Sequence, residues 1–234
     1  MKLADRMALW RLRRELRRLQ QRYYSGKPEE VASTAGQYLA TLERARSLTL
    51  PSSSLRRVHL GAGGHYLRGW INADIVREGV DVLADLATSL PFRSASVDLL
   101  HSEDLLEHLE LHAGKRLLTE CHRVLRPNGV MRLLTPDLRL LIEKVYLARD
   151  PQHVAWCNTH LQASGACESL NMHLRMNGEH RFVYDEEHLT NVLRATGFRV
   201  RRVRFNWSSV PELRYLDLRD FGLNLFLEAV KKDG

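Results

Sequence analysis

Between Val58 and Leu134 five short apolar stretches recur, each closed by a turn or set off by a helix-length segment. This rhythm limits the fold more than any other feature of the chain. The stretches cover 58–60, 70–74, 80–85, 96–101 and 130–134. Strands so short and so apolar suit a parallel sheet covered on both faces. A helix is expected over about 113–125, and Arg126-Pro127-Asn128-Gly129 reads as a turn before the fifth strand. Beyond Pro136 the pattern predicts a helix over 138–148 and an irregular helical region to about 176. Asp185 is placed to cap a further helix ending at Gly197, with Tyr184 and Leu189 as a hydrophobic staple. Two strands, 199–205 and 224–230, close the chain without a helix between them, which implies one antiparallel strand. The expected fold is α/β, a doubly wound, mostly parallel seven-stranded sheet with an N-terminal helical arm.

The net charge of +7 is concentrated at one end. Residues 1–24 hold eight basic residues against two acids, a net of +6, which leaves about +1 for the other 210 residues. The near-neutral body argues against nucleic acid as the main partner. Leu9, Leu12, Leu16, Leu19 and Tyr23 form one helical stripe in this arm, and Ser25-Gly26-Lys27-Pro28 stops it. A second helix is expected over about 29–48, then a linker at Pro51-Ser52-Ser53-Ser54. The division is therefore a basic arm over 1–50 and a main domain over 51–234, with a helical insert at about 138–180. The stripe needs a surface to receive it: the chain's own domain, a second copy, or an anionic membrane approached with Trp10 and the arginines, with nucleic acid as the remaining option. No run of 18 apolar residues exists, and the basic N-terminus lacks the features of a secretory signal. Cys121, Cys157 and Cys167 sit at no metal-ligand spacing and suit a reducing cytoplasm.

The first candidate site follows the first strand, at Gly61-Ala62-Gly63-Gly64. Small residues there let the backbone turn sharply and a ligand approach it closely, although a tight turn alone would use them equally well. A dinucleotide fingerprint would place a third glycine where Tyr66 stands, which counts against nicotinamide or flavin. The second and third strands both end in acids, Asp74 and Asp85. One can accept hydrogen bonds from a ribose diol, the other from an adenine amino group, so the pair fits an adenosine without phosphates. Either acid can also merely cap a turn.

Three stretches, RRVHLGAGGHYLRGWINADI, VDVLADLATSLPFRSASVDLLHSEDLLEHL and LLTECHRVLRPNGVMRLLTPDL, give residues 56–134 a resemblance to the class I S-adenosylmethionine-dependent methyltransferases. The resemblance implies a Rossmann-like fold and S-adenosylmethionine as cofactor. Gly61, Ala62 and Gly63 would wrap its methionine part, Asp74 with Ile75 would hold the ribose, and Asp85 with Leu86 would read adenine. The segment after the fourth strand, beginning at Ser102, would line the methyl end. The chain departs from the family pattern at His59, where an acid or Asn is common, and at Asp104, where His is common. Gly61 and Asp74 also stand close together, so the first helix is expected to be short or irregular. GWINADI, GEHRFVYDEEHLTNVLRATGF and VPELRYLD resemble a narrower bacterial subgroup associated with surface-glycan assembly, which implies a glycan or small-molecule acceptor.

Methyl transfer to a hydroxyl oxygen benefits from a general base within hydrogen-bond reach. Candidates are His180, in the Gly178-Glu179-His180-Arg181 loop, then Asp137 after the fifth strand, then His108 in Leu-Glu-His-Leu. Each has a plainer role open to it: a satisfied structural histidine, a helix N-cap, and a packing group. No metal is expected. The leading expectation is O-methylation of a sugar or another small hydroxylated acceptor by a cytoplasmic enzyme, with a homodimer contact or contact to the inner membrane face as options open to the arm. An RNA methyltransferase that uses the arm, and a cofactor-binding protein without turnover, are the alternatives.

Overall fold

The computed structural model describes residues 55–75, 80–220 and 222–233, and nearer the N-terminus residues 7, 8, 10–12, 14–16, 18, 19, 37, 40 and 41. The chain divides into two compact units. One comprises Ser54–Leu141, His173–Arg204 and Leu223–Gly234; the other comprises Met1–Ser53, Ile142–Met172 and Phe205–Gly222.

The first unit is built on seven strands: β1 Arg57–Leu60, β2 Ile71–Asp74, β3 Val82–Leu83, β4 Val97–Glu103, β5 Leu125–Pro136, β6 Phe198–Arg202 and β7 Asn224–Lys231. Their order across the sheet is β3-β2-β1-β4-β5-β7-β6. Strands β1 to β5 are parallel, and β7 is antiparallel to both of its neighbours. The order turns back between β1 and β4, so a ligand crevice is expected outside the carboxyl ends of those two strands. Gly61 follows β1 and Asp104 follows β4, which puts the glycine loop and the Leu-Glu-His segment at that point.

The strand pattern read from the sequence is present, with two adjustments. The 126–129 turn lies inside β5: Val97 pairs with Leu125 and Leu99 with Val130, so the extra residues bulge out of register. Gly129 is needed there, since a Cβ would stand 2.8 Å from the Arg126 carbonyl. No helix at all joins β1 to β2 among the described residues, because only ten residues separate Leu60 from Ile71. Asn72 holds that connection instead. Its Oδ1 accepts from the Leu67 amide at 2.8 Å, and its Nδ2 donates to the Leu67 and Trp70 carbonyls at 3.1 Å each.

Beyond the arm, the described residues form five α-helices, in chain order α1 Leu111–Val124, α2 Leu138–Leu140, α3 Pro151–His160, α4 Ala166–Arg175 and α5 Glu186–Ala195. Helix α1 buries Ala113, Leu117, Leu118, Cys121 and Val124, a stripe at helical spacing. Helix α5 starts at Asp185, whose side chain accepts from the His188 amide, and buries Leu189 and Leu193. These stripes meet Leu60, Leu100, Met131, Phe198 and Leu227 of the sheet in one core. The helix expected over 138–148 is a single α turn that continues as the π-helical stretch Leu141–Leu147.

In the second unit the arm has found its receiving surface. Leu12, Leu16 and Leu19 are buried in one cluster with Tyr215, and Phe205 and Leu218 pack against it. Leu9 and Tyr23 of the expected stripe lie outside the described residues. Trp10 is exposed, with the Arg14 guanidinium over its ring at 5.4 Å. Thr41 donates to Glu15 at 3.3 Å and to the Gln37 carbonyl at 2.8 Å.

Candidate active site

The glycine loop hangs on the end of β2. The Gly61 and Ala62 amides donate to the Ala73 carbonyl at 3.0 and 3.3 Å, and the Gly63 amide donates to Asp74 Oδ2 at 2.7 Å. Both glycines have positive φ, +71° at Gly61 and +48° at Gly63. A Cβ at Gly61 would stand 2.9 Å from the Leu105 Cβ, so this position tolerates no side chain. A Cβ at Gly63 would meet nothing within 4 Å: the loop is open on that side. Leu105 belongs to the segment after β4, and its contact with Gly61 brings the two ends of the crevice together.

Asp74 is buried and already holds the loop through the Gly63 amide. Asp85 is exposed; its Oδ1 accepts from the Ala87 amide at 2.9 Å while its carbonyl takes the Thr88 hydroxyl at 2.8 Å. The plainer capping role is thus filled at Asp85 without removing the carboxylate from solvent. Ile75 is 66% exposed, an apolar side chain standing free next to Asp74. Ala62, Leu86 and Ser102 are buried. His59 lies inside the sheet with Nδ1 3.2 Å from Asn72 Oδ1 and its ring 5.1 Å from that of His101. Its place is structural. Tyr66 donates to Asp81 Oδ1 at 3.1 Å, and hydrogen bonds from Asn72 hold the Asp81 carboxyl below its usual range.

The two candidate histidines are brought together by Glu107. This residue is fully buried in the turn Leu106–His108. Its Oε2 accepts from the Thr135 hydroxyl at 3.0 Å, and its carbonyl accepts from the Arg181 and Phe182 amides at 2.7 and 3.2 Å. Those two backbone bonds pin the loop that carries His180 beside the one that carries His108. The imidazoles meet edge to face with centroids 4.9 Å apart. His180 Nδ1 lies 2.7 Å from the His173 carbonyl, so Nδ1 carries the proton and Nε2 keeps its lone pair. Burial, ahead of the His173 hydrogen bond that opposes it, lowers the His180 pKa below the usual histidine value, so the ring is neutral at neutral pH. Tyr184 is buried too, and burial first, then the Glu107 carboxylate, pushes its hydroxyl up to about 12.

His180 and His108 are therefore brought together, and Asp137 is not. Asp137 caps α2, its Oδ1 accepting from the Arg139 and Leu140 amides at 3.0 and 3.4 Å, with Arg202 3.8 Å from Oδ2. Burial raises its pKa. Glu107, the His173 carbonyl and Asn72 are the working parts that sequence reasoning missed. Only Glu107 left a signal, the acid of Leu-Glu-His.

Residues 62–133 match the family model described as "Methyltransferase domain". A curated protein of Haemophilus influenzae, described as uncharacterized, is 38% identical over 71 residues, which are 30% of this chain and 28% of that protein. The match thus spans little more than a quarter of the relative's length. Among solved structures, a SAM-dependent methyltransferase from Archaeoglobus fulgidus aligns at a TM-score of 0.50 with 14% identity, over 90% of this chain and 97% of that one. The CMeT domain of the citrinin polyketide synthase aligns at 0.50 with 12% identity, over 92% of this chain and 60% of that one. The fold is that of the class I methyltransferases, and the matched stretch runs from the glycine loop through most of β5.

Proposed function

We propose that this chain is an S-adenosylmethionine-dependent methyltransferase that methylates a hydroxyl oxygen of a sugar or another small acceptor. The observation that carries the reading is the His180 imidazole, neutral and fixed in one tautomer by the His173 carbonyl, in a cluster adjoining the glycine loop through Leu105. The crevice fits the cofactor by its chemistry: two positive-φ glycines, open space at Gly63, and the carboxylates of Asp74 and Asp85 at adjacent strand ends. When bound, S-adenosylmethionine supplies an electrophilic methyl on a sulfonium. Asp74 orients the ribose and keeps the loop folded, while Asp85 addresses adenine from the next strand. Ile75 offers its exposed apolar face to the adenosine. His180 Nε2 accepts the hydroxyl proton as the oxygen attacks, and His108 bounds the same space.

The three cysteines are free thiols, in keeping with a cytoplasmic enzyme. No described helix is long and apolar enough to cross a membrane. The test is calorimetric titration with S-adenosylhomocysteine and with NAD, followed by transfer of labelled methyl to panels of hydroxylated sugars and of RNA. Binding of S-adenosylhomocysteine with label appearing on sugar hydroxyls is the expected result. Binding without any transfer identifies a non-catalytic cofactor protein, and label on RNA alone replaces the acceptor class.

A further inference from the structure

We infer that Glu107, His108 and His180 form a binding site for a divalent metal ion of the zinc class. One ligand atom from each of these residues lies within 4.8 Å of the other two. Ligands about 2.0–2.2 Å from a common zinc stand at most about 4 Å apart, so the cluster closes on an ion with shifts of under about 1 Å. Two imidazoles and one carboxylate, with a fourth position open, is a donor set that suits zinc and leaves room for water.

Three further features of the site favour a cation. His180 donates Nδ1–H to the His173 carbonyl, the outer-shell hydrogen bond that orients a ligating imidazole and leaves Nε2 for the metal. Beyond His108, the strongest charge influence on His180, two carboxylates, Asp104 and Glu179, also bear on the ring. His108 is partly exposed, so an ion can reach the cluster from its side, while Glu107 is fixed by the Thr135 hydroxyl. The ligands come from two segments 72 residues apart, held by the amides of Arg181 and Phe182 on the Glu107 carbonyl. That fixed spacing is a prerequisite for a preformed site.

A consequence follows for turnover, and it alone rests on His180 as proton acceptor. The Nε2 lone pair cannot take a proton while it binds an ion, so zinc at this site inhibits methyl transfer and a chelator restores it. The binding claim is tested without any activity measurement. The full-length chain, treated with chelator, is titrated with Co(II) and with Zn(II) and followed by calorimetry and by the visible absorption of low-coordinate Co(II). One equivalent is expected to bind with that absorption. His108→Gln and His180→Gln should each weaken binding by more than the ~10–100-fold that loss of an outer-shell partner costs. His112→Gln, an exposed histidine on α1, should leave it unchanged. In the unmodified chain, ring resonances of His108 and His180 should shift together on adding one equivalent of Zn(II), which keeps the test independent of how the variants fold. The absence of a one-equivalent site in the unmodified chain overturns the inference. So does binding that survives both Gln substitutions with the fold intact. Binding at His108 and His180 without inhibition retains the site and removes His180 as the base.

Discussion

At the scale of single residues, the chemistry turns on which side of each functional group is already committed. His180 has one nitrogen bound to the His173 carbonyl and the other available, and burial holds its pKa below the usual histidine value. An imidazole accepts a proton only when neutral. The acid limb of kcat/KM is therefore expected below the usual histidine pKa, with activity rising through that limb and level at neutral pH. The same sign applies to stability: protons bind this ring more weakly in the folded than in the unfolded chain. Its contribution is full above the unfolded pKa and is lost as pH falls towards the folded one. His180→Ala should lower turnover about 10²–10⁴-fold and abolish that limb, while S-adenosylhomocysteine affinity stays within about two-fold. Near-normal turnover in this variant removes the assignment. Asp74 is committed differently, since Oδ2 already holds the Gly63 amide. Asp74→Ala loses both the loop anchor and a charge-assisted bond, and should weaken S-adenosylhomocysteine by about 10-fold or more, from roughly 1.5–3 kcal/mol. Asp74→Asn keeps an oxygen for the Gly63 amide and should cost less. Equal loss in both variants would show that the charge, not the anchor, is what matters. The glycines and strand-end acids were legible because their residue types are demanded by position. Glu107 showed only as the acid of Leu-Glu-His, because its task is to hold a loop more than 70 residues away, and no local pattern encodes such a partner.

At the scale of elements, periodicity carried most of the fold. Helices α1 and α5 and all seven strands announce themselves by apolar spacing, and Asp185 by its place before a helix. What periodicity could not show was the treatment of connections. The 61–70 segment is too short for a helix and is held by one side chain, Asn72, and the 126–129 turn became a bulge. Nor does a hydrophobic pattern reveal buried charge. Arg132 on β5 and Glu228 on β7 are both fully buried and pair at 3.2 Å, while Arg132 also donates to the Arg204 carbonyl at 3.0 Å. Arg201, half exposed on β6, reaches Glu228 from the outside with Nε at 3.0 Å. Removing Arg132 leaves the buried carboxylate with a single partner near solvent. Arg132→Ala is expected to destabilise by about 3–5 kcal/mol in chemical denaturation, and Arg201→Ala by much less. Similar costs for the two would mean that the buried pair between β5 and β7 carries no special weight.

At the scale of the whole molecule, the basic arm had several possible destinations, and the described part of its apolar face has one. Leu12, Leu16 and Leu19 are buried against Tyr215, with Phe205 and Leu218 beside them. An isolated helix of this length is marginal in water, so its stability is lent by that cluster. The receiving segment, 205–222, leaves the sheet after β6 and returns before β7, so the excursion that interrupts the sheet supplies the arm's seat. Sequence alone gave the stripe but not its partner, because Phe205, Tyr215 and Leu218 follow no regular spacing of their own. With this face covered, the stripe cannot also enter a membrane while the unit stays folded. A chain beginning near Glu29 should therefore melt at lower temperature without lipid present. Leu16→Ala should reproduce part of the effect, at about 2–5 kcal/mol for a core leucine replaced by alanine. Because each unit has its own core, the loss should appear as an earlier transition of the arm-bearing unit, with amide protection in β1, β4 and β5 retained. Anionic vesicles should not sediment the full chain through the stripe, and any residual binding should vanish with salt, as expected of arginines alone. An unchanged melting curve after truncation, together with salt-resistant vesicle binding by the full chain, would mean that the arm's apolar face belongs to a membrane and not to Tyr215.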